Sequence, residues 1–146
     1  MILSHADLVT VKGQPFNAEA APANLVPSLT PTEQFYVRSN FDVPQLRADS
    51  HQVSVGGLVD RPFVATVREL RELGEATVVT TMECAGNNRV SLVPLPTGEP
   101  WQGGAVSTSS WTGVPLHLVL ERAGLRPGVT EIPVSYTHLR AHETGR

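Results

Sequence analysis

Val78-Val79-Thr80-Thr81-Met82-Glu83-Cys84-Ala85-Gly86-Asn87-Asn88-Arg89 is the stretch on which the reading of this 146-residue chain turns. Its β-branched and apolar opening, preceded by Thr77, reads as a buried strand ending near Met82. Gly86, Asn87 and Asn88 tolerate unusual backbone angles and hydrogen-bond locally, so the chain is expected to turn sharply there. The only cysteine of the chain therefore stands at the mouth of a strand, well placed to be a ligand or a nucleophile. A lone cysteine is more commonly a small buried hydrophobe, and residue chemistry by itself leaves both readings open. Arg89, five positions on, adds a fixed positive charge able to receive an anion.

Upstream of this strand, Thr66-Val67-Arg68-Glu69 has the form of a capping box with Thr66 as N-cap. Val67, Leu70 and Leu73 then line one helical face, and Gly74 ends the helix. Residues 51–55 alternate as a half-buried strand does, and Gly56-Gly57 breaks it. Asp60-Arg61-Pro62 is a turn between the short apolar pieces Leu58-Val59 and Phe63-Val64. Near the start, Pro15, Pro22, Pro27 and Pro31 block both long helix and central strand. Residues 12–34 are thus expected to lie extended over the surface, anchored by Phe16, Leu25, Val26 and Leu29. Residues 28–33 have turn character before the chain extends through Phe35, Tyr36 and Val37.

Downstream, Pro94, Pro96, Gly98 and Pro100 mark a surface loop. Gly103-Gly104 either turns the backbone or lets it approach something closely. Thr112-Gly113-Val114-Pro115 opens a second helix with proline in its first turn. Leu116, Val119, Leu120 and Ala123 form the buried face of that helix, and Gly124 is its stop. The sum is a mixed α+β fold, short-strand sheets with helices packed on them.

Composition fits an ordinary globular chain, with 40% hydrophobic residues and a net charge of −3. No basic run is present and aromatics make up 5%, which argues against nucleic acid as a partner. No apolar run approaches membrane-spanning length, and the first residues lack the basic opening and apolar core of a secretory signal. The compartment stays undetermined. A single cysteine excludes an internal disulfide. Glu83 beside Cys84 has no clear partner, so a paired-carboxylate mechanism finds no support. His5, His51 and His117 are scattered and read as solvated. There is no phosphate-binding glycine loop, nucleophile elbow or zinc spacing.

Cys84-Ala85-Gly86-Asn87-Asn88-Arg89 resembles the molybdenum-binding signature of the sulfite oxidase family. Gln14-Pro15-Phe16-Asn17-Ala18-Glu19 and Phe35-Tyr36-Val37-Arg38-Ser39-Asn40-Phe41-Asp42-Val43-Pro44 resemble its opening segment and its active-site arginine loop. Trp101-Gln102-Gly103-Gly104-Ala105-Val106-Ser107-Thr108 and Trp111-Thr112-Gly113-Val114-Pro115-Leu116 resemble the segment after the cysteine. The blocks stand in the family's order and cover nearly all of residues 12–125.

The resemblance implies a molybdopterin domain in which the Cys84 thiolate coordinates molybdenum beside the dithiolene sulfurs of the pterin. Soft thiolate suits a metal already bound by sulfur. It implies that Arg38 faces the substrate pocket, where its planar fork of donors suits an oxyanion such as sulfite. A lone arginine without that context usually forms a surface salt bridge. Ser39 and Asn40 stand where the animal enzymes carry Asn-His, and are implied to contact the pterin. Asn88 replaces one arginine of a doubled pair, leaving Arg89 to hold the pterin's phosphate end. Ala105 and Ser107 are implied to border the cofactor, Ser107 as a donor, while Trp101 and Trp111 read as core or wall.

The implied activity is oxidation of sulfite to sulfate by oxo transfer, with electrons passing to an acceptor such as a cytochrome c. Alternatives are nitrate or sulfoxide reduction with the same cofactor, or a non-catalytic structural module with a buried cysteine. Residues 1–132 are expected to be the N-terminal part of the molybdopterin-binding domain. Residues 133–146 match nothing in the family and resemble translated linker or adaptor DNA. His138, His142 and Tyr136 are accordingly given no role. The family's further cofactor contacts, catalytic tyrosine and immunoglobulin-like dimerisation domain lie downstream, so a homodimer is expected only together with that domain.

Overall fold

Turn residues spaced every few positions cut this chain into short antiparallel ribbons. The computed structural model describes residues 7–21, 23, 28–41 and 44–134. It separates into two units, Met1–Val43 with Val78–Trp111 and Pro44–Thr77 with Thr112–Arg146. His5, Leu25, Val26, Tyr136, His138 and His142 lie outside the described residues.

In the first unit, β1 (Leu8–Lys12) pairs antiparallel with β2 (Asn17–Ala20), in the register Leu8 to Ala20 and Thr10 to Ala18. The far edge of β2 exchanges backbone hydrogen bonds between Ala18 and Val37 at 3.0 and 2.8 Å. All four β2 residues are buried. This corrects the expectation of a surface wrap over residues 12–34 at residues 17–20, while Lys12, Gly13, Gln14, Ser28 and Leu29 are exposed as expected. The prolines forbid long elements, but a four-residue strand fits between Pro15 and Pro22 and finds partners on both edges. The expected turn is present as a single 3₁₀ turn at Thr32–Gln34. Phe35 then meets the half-exposed Trp111 edge-on, with ring centroids 5.6 Å apart, whereas Trp101 is core.

The strand ahead of the cysteine is β5 (Ala76–Glu83), paired with β6 (Val106–Gly113) in a two-stranded sheet. Hydroxyls meet across it at 2.7 Å, Thr77 with Thr112 and Thr81 with Thr108, so the strands run antiparallel. The expected strand is there, but it is not buried: all eight residues of β5 are exposed. Its sheet contains no third strand among the described residues, so apolar content alone cannot remove it from water. Thr112 and Gly113 belong to β6 and not to the following helix.

In the second unit, β3 (Gln52–Val55) and β4 (Phe63–Thr66) pair from Gln52–Thr66 to Val55–Phe63. Thr66 ends β4 and caps α1 (Val67–Arg71) with both halves of the capping box formed. The N–H and hydroxyl of Thr66 donate to Glu69, holding its carboxyl below the usual range. Val67, Leu70 and Leu73 are half-buried while Arg68, Glu69 and Arg71 are exposed, as the spacing predicts. α2 (Leu116–Ala123) buries Ala123 and half-buries Val119 and Leu120. Leu116, expected on the buried face, is 55% exposed because it starts the helix directly after Pro115, ahead of the turn that packs. The 60–62 turn caps the other end: Arg61 donates to the carbonyls of Glu121 and Arg122, both at 2.9 Å. Among the described residues no helix is long and apolar enough to cross a membrane.

Candidate functional site

Cys84 is the first residue beyond β5, yet it keeps the ribbon's pairing. Its N–H donates to the carbonyl of Ala105 at 2.9 Å. The carbonyl of Cys84 accepts the Asn87 N–H at 2.8 Å, closing a turn over residues 84–87. Asn87 then locks the turn with its side chain. Its Oδ1 accepts the Ala105 N–H at 3.0 Å, and its Nδ2 donates to Glu83 at 2.9 Å. Glu83 therefore does have a partner, an amide that can donate to one strand and accept from the other. Asn88 follows in the left-handed region at φ 57, which asparagine tolerates better than most residues. The thiol is left half-exposed at the open end of a fixed strand pair.

Tyr36 lies within electrostatic reach of this thiol. Burial chiefly, and then the negative fields of Cys84 and Glu83, push its phenol above the ordinary tyrosine range. Its N–H donates to Ser107 Oγ at 3.2 Å, so the buried Ser107 hydroxyl is engaged as an acceptor behind the site. Ala105 is also buried, and it serves through its backbone. Neither Tyr36 nor Asn87 was singled out from the sequence as more than a strand or turn residue. The usable signals were their places, two residues before Arg38 and three after Cys84.

Arg38-Ser39-Asn40 continues from Val37 after its pairing with β2. Arg38 is exposed, and its guanidinium donates to the Ser39 carbonyl at 2.6 Å and to Asn40 Oδ1 at 2.7 Å. Asn40 thus orients Arg38. Arg89 donates to the carbonyl of Thr97. Its guanidinium occupies space beside Gly86 and Gly98 that a Cβ at either position would fill. The expected site residues Arg38, Ser39, Asn40, Cys84, Arg89, Ala105 and Ser107 all belong to the first unit.

Among the described residues no group of three or more His, Cys, Asp or Glu side chains could hold a metal ion. The chain offers a metal one soft thiolate, so a metal held there has to arrive with most of its own donors. A molybdenum already carried by dithiolene sulfurs meets that condition, and the donor set fits it.

Residues 40–143 match the family described as the oxidoreductase molybdopterin binding domain. The sulfite oxidase of Gallus gallus is 38% identical over 125 residues, 82% of this chain and 27% of that protein. The mitochondrial sulfite oxidase of Rattus norvegicus is 33% identical over 147 residues, 98% of this chain and 27% of that protein. An NADH nitrate reductase of Ulva prolifera is 37% identical over 127 residues, 84% of this chain and 15% of that protein. The chain therefore spans 15–27% of the length of these curated relatives. The fold is similar to that of the sulfane dehydrogenase SoxCD from Paracoccus pantotrophus, with a TM-score of 0.69 and 23% identity over 80% of this chain and 30% of that one. The chain belongs to the oxidoreductase molybdopterin-binding domain family.

Proposed function

We propose that this chain carries the molybdenum site of an enzyme that oxidises sulfite to sulfate. The observation that carries the reading is the Cys84 thiol, half-exposed at the end of β5 in a turn tied to both strands of the ribbon. When bound, the molybdenum–pterin group supplies two-electron oxo transfer, while the protein supplies binding, orientation and charge. The net change takes one oxygen from water and releases two protons and two electrons, which leave to an acceptor such as a cytochrome c. Cys84 loses its proton on ligation and holds the metal. Arg38 receives the oxyanion through charge-assisted hydrogen bonds in place of its present bonds to Ser39 and Asn40. Ser39 and Asn40 border the pterin, the buried Ala105 and Ser107 support its wall through their bonds to Asn87 and Tyr36, and Arg89 takes its phosphate end.

Nitrate reduction is the second reading, favoured by nitrate reductases at an identity similar to that of the sulfite oxidases. Nitrate is likewise a small oxyanion suited to Arg38. Molybdenum and pterin analysis, followed by steady-state assays with sulfite, nitrate and methionine sulfoxide, separates the possibilities. The expected result is stoichiometric molybdenum and sulfite-dependent reduction of cytochrome c. Cys84→Ser should abolish turnover with the pterin retained. Arg38→Gln should raise KM for sulfite by about tenfold or more, the scale of a lost hydrogen bond to a charged group. A well-folded, metal-free protein from cells supplied with molybdate would sink the proposal. Turnover of nitrate without turnover of sulfite would transfer it to the second reading.

A further inference from the structure

β2 contains two buried polar side chains that the reaction above does not use. Asn17 has no exposed surface and Glu19 is 2% exposed. They are two residues apart on a strand, so both side chains leave the same face. Each holds a different piece of the candidate site. Asn17 Nδ2 donates to the Ser39 carbonyl at 3.0 Å, and its Oδ1 accepts the Ser39 N–H at 2.6 Å. The carboxylate of Glu19 accepts the Gln102 N–H at 3.1 and 2.9 Å and the Gly104 N–H at 2.9 Å.

The second contact leads to the thiol in two steps. Gly104 adjoins Ala105, whose carbonyl accepts the Cys84 N–H and whose N–H is held by Asn87. The Gly104 carbonyl accepts the Ala20 N–H at 3.0 Å, and a Cβ on Gly104 would meet the Ala20 carbonyl. A buried carboxylate is costly unless its oxygens are satisfied. Here backbone N–H groups satisfy it, and no basic side chain forms an ion pair with it among the described residues. Oε2 accepts both N–H groups at 2.9 Å, so glutamine could keep one oxygen there, but without the carboxylate charge and with an NH₂ group facing the Gln102 N–H in place of Oε1.

We infer that Asn17 and Glu19 are positioning residues, which use one rigid strand to set the Arg38-Ser39 loop and the Gly104-Ala105 segment that supports Cys84. The inference rests on the assignment of Cys84 to the metal and Arg38 to the anion. Its test compares the parental chain, Glu19→Gln and Cys84→Ser, each produced with molybdate and the pterin supplied. Three quantities are read: molybdenum and pterin per chain, backbone amide exchange, and thermal melting. In the parent, the Gln102 and Gly104 amides are protected although they lie outside any strand or helix. In Glu19→Gln, molybdenum and pterin per chain fall together below the parental level, by at most the roughly 10–100-fold that loss of a partner bonded directly to a metal ligand costs in affinity. The Gly104 and Cys84 amides exchange faster there, while those of the β3–β4 hairpin are unchanged.

Parental molybdenum content and parental exchange in Glu19→Gln would overturn the inference. If the parent binds molybdenum and Glu19→Gln binds as much, with unchanged exchange, the site assignment stands and the positioning role falls. If even the parent binds no molybdenum, the site assignment fails separately. Exchange at Cys84 then decides, faster exchange in Glu19→Gln supporting the positioning role and unchanged exchange refuting it. Should Glu19→Gln not fold, exposed Gln102 and Gly104 amides in the parent would still refute it.

Discussion

β2 and β5 invert the usual relation between sequence and burial. β2 reads Asn-Ala-Glu-Ala and is buried throughout, while β5 holds Val78, Val79 and Met82 and is exposed throughout. Hydrophobic pattern describes what a strand gains if it is covered; neighbours decide whether it is covered. β2 has β1 on one edge and Val37 and Gly104 on the other, and its alanines let those neighbours close in. Its polar side chains pair with backbone groups of the surrounding loops, so their burial leaves few lost hydrogen bonds. β5 has β6 alone in its sheet.

The comparison breaks most forcefully at Gly104. The Ala20 carbonyl occupies the space a side chain would need, and that contact is backbone, with no flexible end to swing aside. Gly104→Ala should cost about 3 kcal/mol, the upper range for overpacking a filled interior. Urea unfolding of parent and variant measures it. A cost near zero would show that β2 is not closed against this segment and that its burial is looser than described.

A smaller effect is expected where local pattern and tertiary surroundings agree. Thr66→Ala removes the hydroxyl that accepts from the Glu69 N–H and donates to the Glu69 carboxylate, and it should cost about 1 kcal/mol in the same measurement. Glu69 titrates below the usual carboxylate range. Its contribution is therefore complete above that range and disappears as pH falls through the lowered value. The melting difference between Glu69→Gln and the parent should shrink in acid. A difference independent of pH would place the stabilisation elsewhere.

That contrast also explains what could be read from the chain in advance. The capping box, the strand within residues 51–55, the α1 face and the turn after Cys84 are local, and each was legible because its determinants lie within a few residues; the pairing of that strand with Phe63–Thr66 was not read. The placement of Cys84 at the end of a strand was legible for the same reason. The tie from Glu19 to Gly104 spans 85 positions, and although Gly103-Gly104 allowed a close backbone approach, nothing local named β2 as what it approaches. Asn17 looked like part of a proline-rich surface segment because its partner, Ser39, is 22 positions away. The exposure of β5 was illegible because a β-branched run looks the same whether or not a second layer covers it.

The smallest expected effect is the sharpest test of β5. Thr77 and Thr81 pair across the ribbon with Thr112 and Thr108, and Val79 lies between them on the same face. Val79 is 63% exposed. Val79→Thr keeps the β-branched shape and continues the row of hydroxyls, so stability should change by no more than about 0.5 kcal/mol, as for a surface substitution. Were this face buried, as the apolar run suggests, the new hydroxyl would lose its water and the cost would rise to about 1–3 kcal/mol. Because shape and strand preference are conserved, the difference between these outcomes reports solvent access to this face. A large loss would mean that β5 is covered in solution and that its contrast with β2 is weaker than the structure shows.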